Sequence, residues 1–216
     1  MATLTTESKP AYLAEVLRRL GGIPPERIRM NPAPGTATEK DLRRAGKPIC
    51  ELIDGVLVEK AVGTAESMMG SHIFGHIWTH VRAHDLGVVL AGDGFIRIRK
   101  GLVRAPDVTF IPWSSLPNGE YPKETYWSVT PGLIVEVLSP TNRRAEIDRK
   151  LREFFKVGCP LAWVVNPKSK TAKVYTAPDR FTELTGRGVL KADPVLPGFT
   201  VSLAEVFGLL KRPKST

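Results

Sequence analysis

The run "GLIVEVLSPTNRRAEIDRKLREFFKVGCPLAWVVN" constrains the fold more than any other part of the chain. Leu133, Ile134, Val135, Val137 and Leu138 form an apolar block of strand length, and "LAWVVN" forms another. Between them, residues 143–157 read as a helix that Gly158 and Pro160 bring to an end. Buried strands on both sides of a helix predict a crossover between neighbouring strands. Two residues do not suit this frame. Glu136 interrupts the first apolar block, and Lys150 sits three residues after Ile147 and four before Phe154, on the helix stripe that should be buried.

The remaining segments surround this unit. "CELIDGVLVEK" alternates on both sides of Asp54-Gly55, a pair suited to a type I′ hairpin turn. "ESMMGSHIFGHIWTHVRAHDLG" reads as a helix with Met69, Ile73, Ile77 and Val81 in one row and Gly87 as its stop. Strands are expected at "VVLAG", "FIRIR", "DVTFI" and "KVYTA", with a further hairpin at Phe181–Leu184, a loop containing Trp113 and Trp127, and a closing helix in "SLAEVFGLL". The fold class is therefore α/β, a mixed β-sheet flanked by helices. An N-terminal helix with Leu13, Val16, Leu17 and Leu20 precedes Gly21-Gly22 and a proline-rich charged stretch, read as a linker or arm. Residues 1–47 are assigned to this arm, 48–210 to the main domain and 211–216 to a basic tail.

An ionised carboxylate without a partner in low dielectric costs several kcal/mol or takes up a proton. Glu136 therefore needs a strand-end cleft, an ion pair or a metal. Asp107 opens "DVTFI" in the same way, although a residue after Pro106 also suits a turn. If the two strands are neighbours, their acids form an oxygen-rich site for Mg²⁺ or Mn²⁺. An ammonium from Lys150 facing both acids accounts for all three residues together. A structural ion pair, or a lysine that snorkels outward, accounts for them singly.

With these residues in view, "APDVTF" and "LIVEVLSPTNRRAEIDRKLREFFKVGCPLAWVVNP" resemble the Uma2 family of the PD-(D/E)XK restriction-endonuclease-like superfamily. "CELIDGVLVEK" and "VLPGFTVSLAEVF" are similar to the family's ends, so the resemblance spans about residues 48–208. It implies a restriction-endonuclease-like fold and metal-dependent endonuclease activity, with DNA as the partner. It further implies that Asp107 and Glu136 are catalytic metal-binding carboxylates, that the Val137 carbonyl adds an oxygen ligand, and that Glu51 completes the site. The superfamily places a lysine two residues after the Glu, where this chain has Leu138. Uma2-like chains supply the amine from the following helix, and Lys150 stands there. The departure at Leu138 keeps open a second reading, a catalytically weak nuclease-fold module that binds nucleic acid. A third is a structural dimer with the charges locked in ion pairs.

The formal charge of +9 favours a polyanionic partner without specifying it. Arg143 and Arg144 near the start of the helix, and Arg97, Arg99, Lys100 and Arg104 before Asp107, suit backbone contacts to nucleic acid or plain solvated charge. Cys50 and Cys159, the only two cysteines, form no CxxC pair and read as reduced thiols of a cytoplasmic protein. No apolar run is long enough for a membrane span, and there is no GxxxxGK[ST] nucleotide loop. Exposed edge strands favour a homodimer. All four histidines, His72, His76, His80 and His84, repeat every four residues. Each step drifts about 40° around a helix, so no one ion can meet all four. In the resembling family this helix packs near the site, which implies that His72 faces the cleft; the others read as surface or interface residues.

Overall fold

The computed structural model describes residues 9–61 and 63–208, with side chains from residue 14 onward. Leu13 and the 211–216 tail lie outside the described side chains and residues, respectively. In chain order the elements are α1 (Lys9–Arg19), α2 (Glu39–Arg44), β1 (Cys50–Ile53), β2 (Val56–Glu59), α3 (Thr64–His84), β3 (Gly87–Ala91), β4 (Ile96–Arg99), β5 (Leu102–Arg104) and β6 (Val108–Pro112). They continue as β7 (Leu133–Val137), α4 (Arg144–Lys156), β8 (Leu161–Asn166), β9 (Thr171–Ala177), β10 (Arg180–Leu184), β11 (Val189–Lys191), β12 (Thr200–Ser202) and α5 (Leu203–Gly208).

The main sheet has the order β10-β9-β8-β7-β6-β3. Only β7 and β8 run parallel, joined through α4 as the crossover pattern predicts, with Leu133 opposite Leu161 and Val137 opposite Val165. Side chains alternate across this sheet. Leu133, Val135 and Val137, with Val108, Phe110 and Trp163, pack against Met69, Ile73, Ile77 and Val81 of α3. Ile134, Ala162 and Val164 face Ile147, Leu151 and Phe154 of α4. Ile73 and Ile77 are wholly buried, and each such side chain contributes about 1.5–3 kcal/mol. By alternation Glu136 falls on the α4 face. That is why Lys150 can meet it.

A second, four-stranded antiparallel sheet has the order β2-β1-β5-β4. Asp54 and Gly55 both take positive φ, 49° and 80°, as a type I′ turn requires. A Cβ on Gly55 would lie 2.4 Å from the Gly35 carbonyl oxygen, so this turn also seats the preceding segment. Residues 23–47 are packed against the small sheet. Ile23 and Ile28 join Val16 and Leu20 against Ile53 and Val58, while Ala37 and Leu42 cover Leu52, Leu57 and Tyr126 on the other face.

Several expectations need correction. Asp85, with φ 50°, caps α3 in the left-handed conformation, while Gly87 already begins β3. Strand β7 ends at Val137, and Asp107 lies one residue ahead of β6. The short strands β5, β11 and β12, of three residues each, carry too little alternation to be recognised from sequence. Cys50 and Cys159 are buried free thiols. Among the described residues no helix is long and apolar enough to cross a membrane.

Candidate active site

Asp107, Glu136 and Lys150 converge on one small cavity lined also by Glu51, Lys60, Val137 and Glu146. Its volume of ≈ 20 Å³ is room for about one water molecule or one small ion. The backbone pairing of β6 with β7 brings the two acids together. Asp107 N donates to the Val135 carbonyl at 3.0 Å, and Val137 N donates to Asp107 Oδ2 at 2.8 Å. The aspartate thus closes the end of the ladder, and Glu136 projects beside it from the adjacent strand. On the other side, Gly70 of α3 leaves 3.7 Å between the position of a Cβ and Asp107 Cβ, room that a larger residue would fill.

Lys150 reaches in from α4. Its Nζ lies 2.7 Å from Glu136 Oε1 and 2.9 Å from Glu51 Oε1, and its side chain is almost wholly buried. Burial alone would drive the ammonium to lose its proton, but Glu136 and Glu51 overcome that and hold its pKa above the usual lysine value. The approach to Glu136 Oε1 is a charge contact without hydrogen-bond angles, so this buried oxygen has no hydrogen-bond donor. Burial pushes the Glu136 carboxyl up to about 7; Lys150 partly offsets this, and Asp107 and Glu51 add to it.

Glu51 differs. Oε1 accepts from Ala105 N at 2.9 Å and Oε2 from Arg104 Nη1 at 2.8 Å, in addition to the Lys150 contact. Burial raises its pKa, but Lys150 and Arg104 dominate and hold it well below the usual carboxylate range. Arg104 is fixed in turn by Glu153, 2.7 Å from its Nε. Both Glu51 oxygens are already engaged, so it anchors Lys150 and Arg104.

Three participants were not anticipated. Lys60, at the end of the β1–β2 hairpin, places Nζ 3.0 Å from Asp107 Oδ1 and 2.8 Å from the Gly92 carbonyl. Arg27 grips Glu146 through two contacts of 3.0 and 2.7 Å and donates from Nε to the Glu59 carbonyl at 2.8 Å, tying the proline-rich segment to the cavity wall. Arg104, read as a nucleic-acid contact or solvated charge, is instead 1% exposed and committed to Glu51 and Glu153. The lining carries four acids, Glu51, Asp107, Glu136 and Glu146, against Arg27, Lys60 and Lys150. Burial is the main reason that Glu136 resists ionisation, and the neighbouring Asp107 and Glu51 add to it. Leu138 packs into the α4-side core, so the site's amine comes from α4 alone on this side. Among the described residues no group of three His, Cys, Asp or Glu side chains converges as metal ligands.

Arg143 and Arg144 line a larger groove of ≈ 720 Å³ that shares Asn142 and Ile147 with the acidic cavity and also carries Lys168 and Lys173. The Arg144 side chain is 90% exposed and only loosely paired with Asp148. Arg97 is paired with Glu39 and Arg99 with Asp54, away from that groove. His72 is a correction: it lines a separate groove with His76, His80 and His84. It is two residues beyond Gly70, which faces Asp107, and two residues rotate a side chain about 200° around a helix.

The family model described as "Uma2: Putative restriction endonuclease" matches residues 39–204. The fold is similar to the crystal structure of a "putative nuclease belonging to DUF820 from Anabaena variabilis ATCC 29413", with a TM-score of 0.68. That alignment has 18% identity and covers 76% of this chain and 93% of the other. No curated protein matches the chain. At that identity the likeness shows the fold, which is restriction-endonuclease-like. With most of its length matched by that model, the chain belongs to the Uma2 family, whose model is described as a restriction endonuclease.

Proposed function

We propose that this protein is a metal-dependent endonuclease that hydrolyses phosphodiester bonds in DNA. The observation that carries the reading is the convergence of Asp107, Glu136 and Lys150, from three separate segments, beside a groove whose lining includes Arg143, Arg144, Lys168 and Lys173 along with Glu66, Asp148 and Glu183. The residues fit a hard divalent cation such as Mg²⁺ or Mn²⁺. Two carboxylates and the Val137 main-chain oxygen are the donors such ions prefer, and Oε1 of Glu136 is a buried oxygen that no hydrogen-bond donor satisfies. When bound, the ion supplies Lewis acidity that offsets phosphate charge and makes water a better nucleophile.

The chain's own residues do the rest. Asp107 is oriented by the Val137 N–H, and Glu136 by its place in the central strand. Lys150, held charged by Glu51 and Glu136, orients the attacking water and offsets the charge that grows on the phosphate oxygens. Glu51 is a positioning residue for that ammonium. Arg143 and Arg144 contact the nucleic-acid backbone along the adjoining groove, where they fix register without reading sequence.

The test is plasmid nicking in Mg²⁺ or Mn²⁺ by wild type, Asp107→Ala, Glu136→Ala and Lys150→Met. Metal-dependent nicking that is lost in both acid variants and reduced in Lys150→Met supports the enzyme. DNA binding without cleavage by the wild type would instead identify a nuclease-fold binding module, the reading that Leu138 keeps open.

A further inference from the structure

The acidic cavity makes no use of the histidine row, which lies on α3 along an open groove of ≈ 680 Å³ beside Gly198, Phe199 and Thr200. The four rings are not equivalent. His80 Nε2 is directed at the Pro197 carbonyl, 3.1 Å away, and His84 Nδ1 lies 2.9 Å from the His80 carbonyl. Each of these two rings thus sets one nitrogen against a main-chain oxygen. His72 and His76 instead turn Nε2 toward Nε2, 3.2 Å apart, and His72 Nε2 also lies 3.0 Å from the Glu205 carbonyl oxygen of α5.

Hydrogen bonding alone serves this trio poorly. If His76 donates to His72, the His72 lone pair is used and its nitrogen faces the Glu205 oxygen without a proton. If His72 carries the proton, that one hydrogen must be shared between His76 and Glu205. A cation removes the conflict. Two imidazole nitrogens bound to zinc at about 2.0–2.1 Å in tetrahedral geometry lie about 3.3–3.4 Å apart, close to the separation found here. Neutral imidazole with a carbonyl oxygen suits Zn²⁺ and other late first-row metals better than Mg²⁺, which demands oxygen donors. Glu205 Oε2 accepts from Ser202 N at 2.8 Å and Oγ at 2.6 Å, and it is the main-chain oxygen that meets the His72 ring.

We propose that His72 Nε2, His76 Nε2 and the Glu205 carbonyl form a transition-metal site, of Zn²⁺ class, that staples α3 to α5. The site is separate from the acidic cavity and does not depend on nuclease activity.

The test is calorimetric titration of the full chain with Zn²⁺ in an Asp107→Asn/Glu136→Gln background, which silences the acidic cavity. One Zn²⁺ per chain is expected, together with a melting temperature that climbs with the logarithm of zinc concentration. Adding His72→Gln/His76→Gln abolishes both effects, whereas adding His80→Gln/His84→Gln leaves them intact. Amide exchange in Leu203–Gly208 slows when zinc is present. His76→Gln alone, checked by its zinc-free melting temperature, guards against a misfolded double variant. Absence of zinc binding in the parent, or binding that survives the loss of His72 and His76, overturns the site. Loss with His80 and His84, or unchanged exchange in α5, does the same.

Discussion

Glu136→Gln offers a direct energetic reading of the acidic cavity. Glutamine imitates the protonated carboxyl, and burial raises the folded carboxyl from 4.5 to about 7. A carboxyl raised on folding holds its proton more tightly in the native state, so its contribution is most favourable below 4.5 and is lost as pH climbs through about 7. At 1.36 kcal/mol per pKa unit the whole span is worth about 3 kcal/mol, of which about 2.5 kcal/mol falls between about pH 5 and about pH 8. Urea unfolding of metal-free wild type and variant at both pH values measures it. The variant should gain on wild type by about 2.5 kcal/mol at the higher pH, roughly a seventyfold change in the folding constant. Millimolar Mg²⁺ should stabilise wild type more than the variant at the higher pH, because only wild type offers a second carboxylate to the cation. A gap between the two proteins that is the same at both pH values would refute the reasoning.

Lys60 competes for Asp107 Oδ1, so Lys60→Met should tighten Mn²⁺ binding about tenfold, worth about 1.4 kcal/mol; weaker binding would make Lys60 a helper instead of a competitor. Arg27→Ala leaves Glu146 buried without its partner and should cost about 3–5 kcal/mol in denaturant unfolding. Arg27→Met with Glu146→Leu should recover most of that loss, and a double variant as unstable as the single one would deny the pair its role.

Much of this architecture was legible because burial imposes a period. The apolar blocks around α4 announced a crossover, and Glu136 and Lys150 stood out because each broke the pattern of an otherwise apolar face. Asp107 stood out more weakly, since an acid after proline also suits a turn. Lys60 and Arg27 left no such mark: one ends a hairpin and the other lies in a proline-rich stretch, where charge is ordinary. Their roles arise from tertiary contacts across 47 and 119 residues of chain. Arg104 misled for the opposite reason. It sits among exposed-looking basic residues yet is buried, because Glu51 and Glu153 neutralise it from distant elements. His72 shows that a resemblance places a helix near a site without fixing which of its faces looks in.

The most direct trial of the joint cation site is Mn²⁺ calorimetry at neutral pH in two buffers of different ionisation enthalpy. Wild type should bind Mn²⁺ and release a fraction of a proton, from the carboxyl that titrates at about 7. Glu136→Gln should bind more weakly and release none, and Asp107→Asn should bind weakly at best. Equal Mn²⁺ affinity in all three proteins, or no binding by wild type at millimolar Mn²⁺, would contradict the account.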